Sequence, residues 1–98
     1  EIPSYFSTHE IRIECDDDHH KLSVMSRAFE YFSSNFEYSD IDGIRFNLDG
    51  GWGLIRCSNT QPVIVCRVEA DKQSKLNEYK KMIISKLELF GAKNIEKV

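Results

Sequence analysis

The sequence reads as an α+β domain of two layers, an antiparallel sheet of about four to five strands with two helices on one face. Three observations carry this reading. Apolar residues recur every three or four positions in two segments, Leu22 to Phe36 and Leu76 to Phe90, as on one face of a helix. Between the two segments the period drops to two, and Asp-Gly steps divide the stretch into short runs. A further alternating run stands ahead of the first helix, giving the order β-α-β-β-β-β-α. Two amphipathic helices can cover one face of such a sheet.

The leading run, Ile11 to Cys15, alternates apolar and polar residues and predicts a short strand. Asp16, Asp17 and Asp18 follow it, carboxylates suited both to capping a helix and to the positive end of its dipole. Leu22, Met25, Phe29, Phe32 and Phe36 then form one stripe over a helix of roughly four turns, and that stripe is expected in the core. Tyr38 to Ile41, Ile44 to Leu48, Trp52 to Arg56 and Val63 to Ala70 predict a meander of antiparallel strands. Its turns fall at Asp42-Gly43, at Asp49-Gly50-Gly51 and in the loop before Val63. Asp71 is placed to cap the second helix, whose buried face would hold Leu76, Tyr79, Ile83, Leu87 and Phe90, with Gly91 at its C-terminal cap. The tail from Ala92 to Val98 adds a little extended structure or frays. Val63 and Val65 alternate with Ile64 and Cys66, so both sides of that strand are apolar, and part of the second sheet face is expected to meet another domain.

A chain of 98 residues is one domain, 1–98, with one core. Apolar residues at 41% and charged residues at 30% argue for a soluble globular fold and against disorder. A net charge of -3 argues against general nucleic-acid binding, which usually requires a basic excess. No apolar run approaches the ~20 residues needed to span a bilayer, so no membrane partner is expected. The N-terminus lacks the basic and apolar regions of a signal peptide and lacks an initiator Met. The chain is therefore expected to be a piece of a longer, cytoplasmic protein. Cys15, Cys57 and Cys66 are three in number, far apart and without a CxxC pair. They read as incidental thiols of a reducing compartment, not as a disulfide framework.

Asp16 to His20, DDDHH, superficially suggests a metal site. Neighbouring residues at a helix start point in different directions, and the pairs that share a face are three or four apart. Two ligands at most could converge, short of the usual count, so capping acids and solvated histidines are expected and no metal. Ser58 has no His near it in sequence, and no G-x-x-x-x-G-K-[ST] loop is present.

The loop Arg56-Cys57-Ser58-Asn59-Thr60-Gln61-Pro62 is richer than a turn requires. A phosphate dianion is best held by a guanidinium fork with hydroxyls, amides and convergent backbone N–H groups, and Arg56 to Thr60 supply all of these. Pro62 stiffens the exit, limiting the entropy lost on binding. Gly51 and Gly53 leave room for close approach by a neighbouring chain or ligand. A plain turn is the alternative, since Ser, Asn and Thr are common turn formers.

A longer stretch, residues 42–70 (DGIRFNLDGGWGLIRCSNTQPVIVCRVEA), resembles the C-terminal domain of the α-D-phosphohexomutases, the phosphomannomutase/phosphoglucomutase family. The matching features are D-G-I-R-F, then G-W-G-L-I-R-x-S-N-T-x-P, then an apolar strand ending R-V-E-A before a helix. Upstream, Tyr5 to Ile11 (YFSTHEI) resembles the segment leading into that domain, so the likeness spans about Ser7 to Phe90. The resemblance implies a fold like the half-repeat of the TATA-binding protein. It also implies a role as the last of four domains around one cleft, gripping the phosphate of a hexose 1- or 6-phosphate. Arg56, Ser58, Asn59 and Thr60 would be phosphate ligands, with backbone help from Cys57. The catalytic phosphoserine and the Mg²⁺-binding aspartates would lie in the other three domains. This domain would thus be non-catalytic alone and bind no cofactor. Cys57 stands where the family usually has Pro or Ala, and Asn59 favours the mannose/glucose branch over the amino-sugar branch. A free-standing α+β protein-interaction module, its loop only a turn, is the second reading.

Overall fold

The computed structural model describes residues 6–8 and 10–95. Its elements run β1 (Phe6–Ser7), β2 (Ile11–Glu14), α1 (Asp18–Asn35), β3 (Tyr38–Ser39), β4 (Ile44–Leu48), β5 (Gly51–Cys57), β6 (Val63–Ala70), α2 (Gln73–Leu89) and β7 (Asn94–Ile95). The expected order is present, with short strands added at β1 and β7. Residues 1–5, 9 and 96–98, including Tyr5 and His9 of the upstream motif, lie outside the described residues.

Every strand pairing is antiparallel, in the order β3-β4-β5-β6-β2-β7, with β1 extending β2 along β6. Register follows from the alternation, since a slip of one residue would turn every apolar side chain to the wrong face. Ile44, Ile55, Cys66 and Ile11 stand opposite one another across four strands and are all buried. Phe46, Gly53 and Val68 form the next row. Over these rows α1 lays Val24, Ala28 and Phe32, and α2 lays Leu76, Ile83 and Leu87. Phe32 and Phe46 stack with ring centroids 4.2 Å apart and planes 12° apart, the tightest aromatic contact between the layers. Gly53 makes that contact possible, because a Cβ there would lie 2.5 Å from the Phe46 ring. The room left by Gly53 is therefore used by the domain's own core and not by a neighbour or ligand; at Gly51 a Cβ would likewise meet the Glu69 carbonyl.

The helix ends explain themselves. Asp17 caps α1, its carboxylate accepting the His20 N–H at 2.8 Å. At the end of α2 the Gly91 N–H donates to the Glu88 carbonyl and the Ala92 N–H to the Leu87 carbonyl, with Gly91 at φ +114. That is a Schellman motif, which uses glycine for its left-handed backbone.

Several expectations need correction. Leu22 is 60% exposed while Lys21 is 7% exposed, so the buried line of α1 runs Lys21, Val24, Ala28, Phe32. At about 100° per residue Leu22 is carried to the rim once Lys21 faces inward. Phe29, Phe36, Met25, Tyr79 and Phe90 are partly buried against the core. The strand expected to reach Ile41 stops at Ser39, and Ile41 is exposed. Asp71 does not cap α2: the helix begins one residue later, after Lys72, and no side chain caps it. Asp71 instead donates its N–H to the Gly50 carbonyl and turns its carboxylate towards Lys75.

Cys66 lies wholly inside, and burial pushes its thiol up from about 9 to about 12. An unfolded chain releases that proton first, so the native state binds more protons between these values and loses stability as pH rises. The contribution is intact below pH 9 and lost through pH 12. Its slope is up to about 1.4 kcal/mol per pH unit. Urea midpoints measured from pH 8 to 10.5 should fall less steeply for Cys66→Val than for the wild-type chain. Equal slopes would remove Cys66 as the cause.

Candidate functional site

The candidate loop joins the two central strands, and its base is closed by the ladder itself. The Ser58 N–H donates to the Val63 carbonyl, the Val63 N–H to the Gln61 carbonyl and the Cys15 N–H to the Pro62 carbonyl, each at 2.8 Å. Five residues therefore bridge β5 and β6 from a fixed stem that also touches the end of β2. Strand alternation sends Ile55 and Cys57 to the helix side and Leu54, Arg56 and Ser58 to the open side. The Ser58 Oγ accepts the Thr60 N–H at 3.4 Å, drawing the tip back over the stem.

A cleft of about 290 Å³ opens on that side, walled in part by Arg12, Arg56, Ser58 and Asn59 and by the carboxylates of Glu10 and Asp42. The Arg56 guanidinium reaches Asp42 at 3.3 Å and Glu10 at 3.6 Å. All three side chains are substantially exposed, so each pair contributes about 0–1 kcal/mol at most, and a more concentrated anion can displace them. The two carboxylates hold the fork at the cleft mouth without sealing it. Gly43 lets the Asp42 turn pass against Arg56: it sits at φ +72, and a Cβ there would meet the Ile55 carbonyl.

Of the residues singled out by sequence, Arg56, Cys57, Ser58 and Asn59 line this cleft, whereas Thr60 is exposed at the tip and does not. Cys57 turns its side chain towards the helices, leaving only its backbone for the open side. Burial pushes its thiol up, with Lys21 pulling the other way, so at neutral pH the group is a thiol and no nucleophile. Cys15 is raised as well, first by burial and then by Cys57 and Asp16 nearby.

Two basic residues escaped sequence reasoning. Arg12 stands across Val65 from Arg56 and donates to the Gln61 side chain at 3.3 Å. Lys21, in the first turns of α1, donates from below to the Ser58 carbonyl at 2.9 Å and the Gln61 carbonyl at 3.2 Å. One signal could have found Lys21: it falls three residues before Val24, in phase with Ala28 and Phe32.

The DDDHH segment is spent on structure. Asp17 caps the helix, Asp18 lies 3.3 Å from Lys21, and His19 is exposed. His20 corrects the expectation of solvated histidines. Its Nδ1 accepts the Asp16 N–H, so its Nε2 donates to the Gly91 carbonyl at 2.8 Å and ties α1 to the end of α2. Among the described residues no group of three or more His, Cys, Asp or Glu side chains is placed so that it could hold a metal ion. Nor is any helix among them long and apolar enough to cross a membrane.

Residues 10–86, which contain β2 to most of α2 and the whole loop, match the family model of the phosphoglucomutase/phosphomannomutase C-terminal domain. The chain belongs to that family. A phosphoglucosamine mutase of Methanocaldococcus jannaschii is 46% identical over 80 residues, covering 80% of this chain and 17% of that protein. A phosphomannomutase/phosphoglucomutase of Pseudomonas putida is 38% identical over 89 residues, covering 88% of this chain and 19% of its own length. The family fold recurs in the crystal structure of a phosphoglucomutase/phosphomannomutase family protein from Burkholderia thailandensis, with a TM-score of 0.73 and 27% identity over 94% of this chain and 19% of that one. The chain thus spans about a fifth of the length of the relatives it matches. Those relatives carry both amino-sugar and mannose/glucose names, so they lend no weight to Asn59 as a marker of one sugar branch.

Proposed function

We propose that this domain grips the phosphate group of a hexose phosphate as the C-terminal domain of a larger, cytoplasmic phosphohexose mutase. Arg56, Ser58, Asn59 and Thr60 are the ligands in this reading, with the Cys57 backbone beside them. The observation that carries it is the loop itself: a guanidinium, hydroxyls and a carboxamide on five consecutive residues, held by a closed hairpin stem at an open cleft. Exchange of phosphate between the 1- and 6-positions of a hexose requires a site that accepts either end of the sugar. A loop that recognises only the dianion meets that requirement. The phosphoryl transfer itself, and the Mg²⁺ that would assist it, belong to the other domains, which are also partners of this one.

Inorganic phosphate, glucose 1-phosphate and glucose 6-phosphate should each shift the amide NMR signals of Arg56 to Thr60. Affinity should be millimolar, because charge-assisted bonds of ~1.5–3 kcal/mol each are largely offset by the ~4–15 kcal/mol cost of association. Loop amides unmoved at tens of millimolar ligand would leave a plain turn and favour the interaction-module reading.

A further inference from the structure

We infer that Lys21 is a positioning residue of the loop, which aims the Asn59 backbone N–H into the cleft by holding the Ser58 carbonyl. The functional part of this inference rests on the phosphate reading above. A lysine is seldom buried, because the ammonium loses its water. Lys21 is only 7% exposed, and its three ammonium protons have three acceptors within reach: Ser58 O at 2.9 Å, Gln61 O at 3.2 Å and Asp18 Oδ1 at 3.3 Å. Two of these are main-chain carbonyls of the loop, reached from α1 some 37 and 40 positions earlier in the chain.

The consequence follows from peptide geometry. In a trans peptide the C=O of one residue and the N–H of the next point in opposite directions, and no cis peptide is present among the described residues. With the Ser58 carbonyl drawn down to Lys21, the Asn59 N–H points up, away from the helix layer and towards the side where Arg56 lies. No hydrogen bond among the described residues takes that N–H. The Ser58 N–H is committed to Val63 and the Thr60 N–H to the Ser58 hydroxyl, which leaves the Asn59 and Gln61 N–H groups available to an anion, and of these Asn59 is the one whose direction the Lys21–Ser58 bond sets. The second carbonyl aims no donor, because Pro62 has no N–H; its bond to Lys21 fixes the loop exit.

The test compares the wild-type chain with Lys21→Met and Lys21→Arg, reading amide exchange without ligand and then titration with inorganic phosphate. In Lys21→Met the Ser58, Thr60 and Val63 amides, which are hydrogen-bonded within the loop and its stem, should exchange at least tenfold faster, while those of Val24 to Phe32 keep their protection. Its phosphate Kd should rise at least tenfold and the phosphate-induced shift at Asn59 should vanish. Lys21→Arg, which restores a buried cation and its donors, should bind within threefold of wild type. If Lys21→Met loses protection throughout α1, Lys21→Gln, whose shorter side chain keeps two N–H donors without the charge, is read in its place by the same criteria. Unchanged loop exchange with phosphate affinity within threefold of wild type would overturn the inference and leave the phosphate reading intact. Should the wild-type chain bind no phosphate, that reading fails, and the ligand-free exchange rates alone decide whether Lys21 orders the loop.

Discussion

Phe32→Ala is expected to be the most damaging single truncation in the domain, costing about 3–5 kcal/mol. Phe32 is fully buried and sits where the layers meet, stacked on Phe46 and in ring contact with Tyr31 and Phe36. Its removal forfeits the transfer energy of the ring, leaves a cavity and dissolves aromatic pairs worth roughly 0.5–1.5 kcal/mol beyond their area. Against a total stability of roughly 5–15 kcal/mol this is a large fraction, and Tm should drop by roughly 12–30 °C. Leu22→Ala serves as the internal control: on the exposed rim of the same helix it should change stability by no more than about 0.5 kcal/mol. A Phe32→Ala loss below 1 kcal/mol, by urea or thermal unfolding, would mean that the two layers do not pack as described.

Arg56→Ala should have the opposite profile, harmless to folding and severe for function. Its partners Glu10 and Asp42 are exposed, so the lost ion pairs should alter stability by less than about 1 kcal/mol. In the full-length protein, loss of one or two charge-assisted bonds to the substrate phosphate predicts a fall in kcat/KM of roughly 10²–10³-fold. Arg56→Lys should recover only part of it, because a point charge lacks the planar fork. Hexose 1- and 6-phosphates should suffer by the same factor, since the loop reads the dianion. Steady-state kinetics on both substrates checks this. Undiminished kcat/KM, or a loss confined to one sugar phosphate, would remove Arg56 from phosphate recognition.

The two helices and the central hairpins were legible because they rest on local rules: spacing of three or four at Phe29, Phe32, Ile83 and Leu87, spacing of two in residues 44–48 and 63–70, and glycine at the turns. The misplacements came where local rules compete. Leu22 and Lys21 are adjacent at the start of α1, and hydrophobicity alone favours burying Leu22; the carbonyls of Ser58 and Gln61, which make Lys21 the better occupant, come from a distant loop. Asp71 looked like a cap because aspartate caps well, but Gly50 and Lys75 claim it first. For the same reason the loop was visible as a candidate, being contiguous, while Arg12 and Lys21 around it were not. Their neighbourhood is created by strand register and helix docking, neither of which leaves a mark at a single position.

Trp52 is the chain's only tryptophan, and it lies on the open side of β5, opposite Asn47 and Glu69, with the Arg45 guanidinium 4.3 Å from its ring centre. Nearly all tryptophan emission from this domain therefore originates on one surface, in contact with solvent and a cation, and not in the hydrocarbon interior. Half-buried there, Trp52 should be open to acrylamide quenching already in the native state, and unfolding should change its spectrum less than that of a core tryptophan. Whatever settles on that surface, by contrast, will change it directly, giving an unlabelled optical reporter for the face that carries the loop.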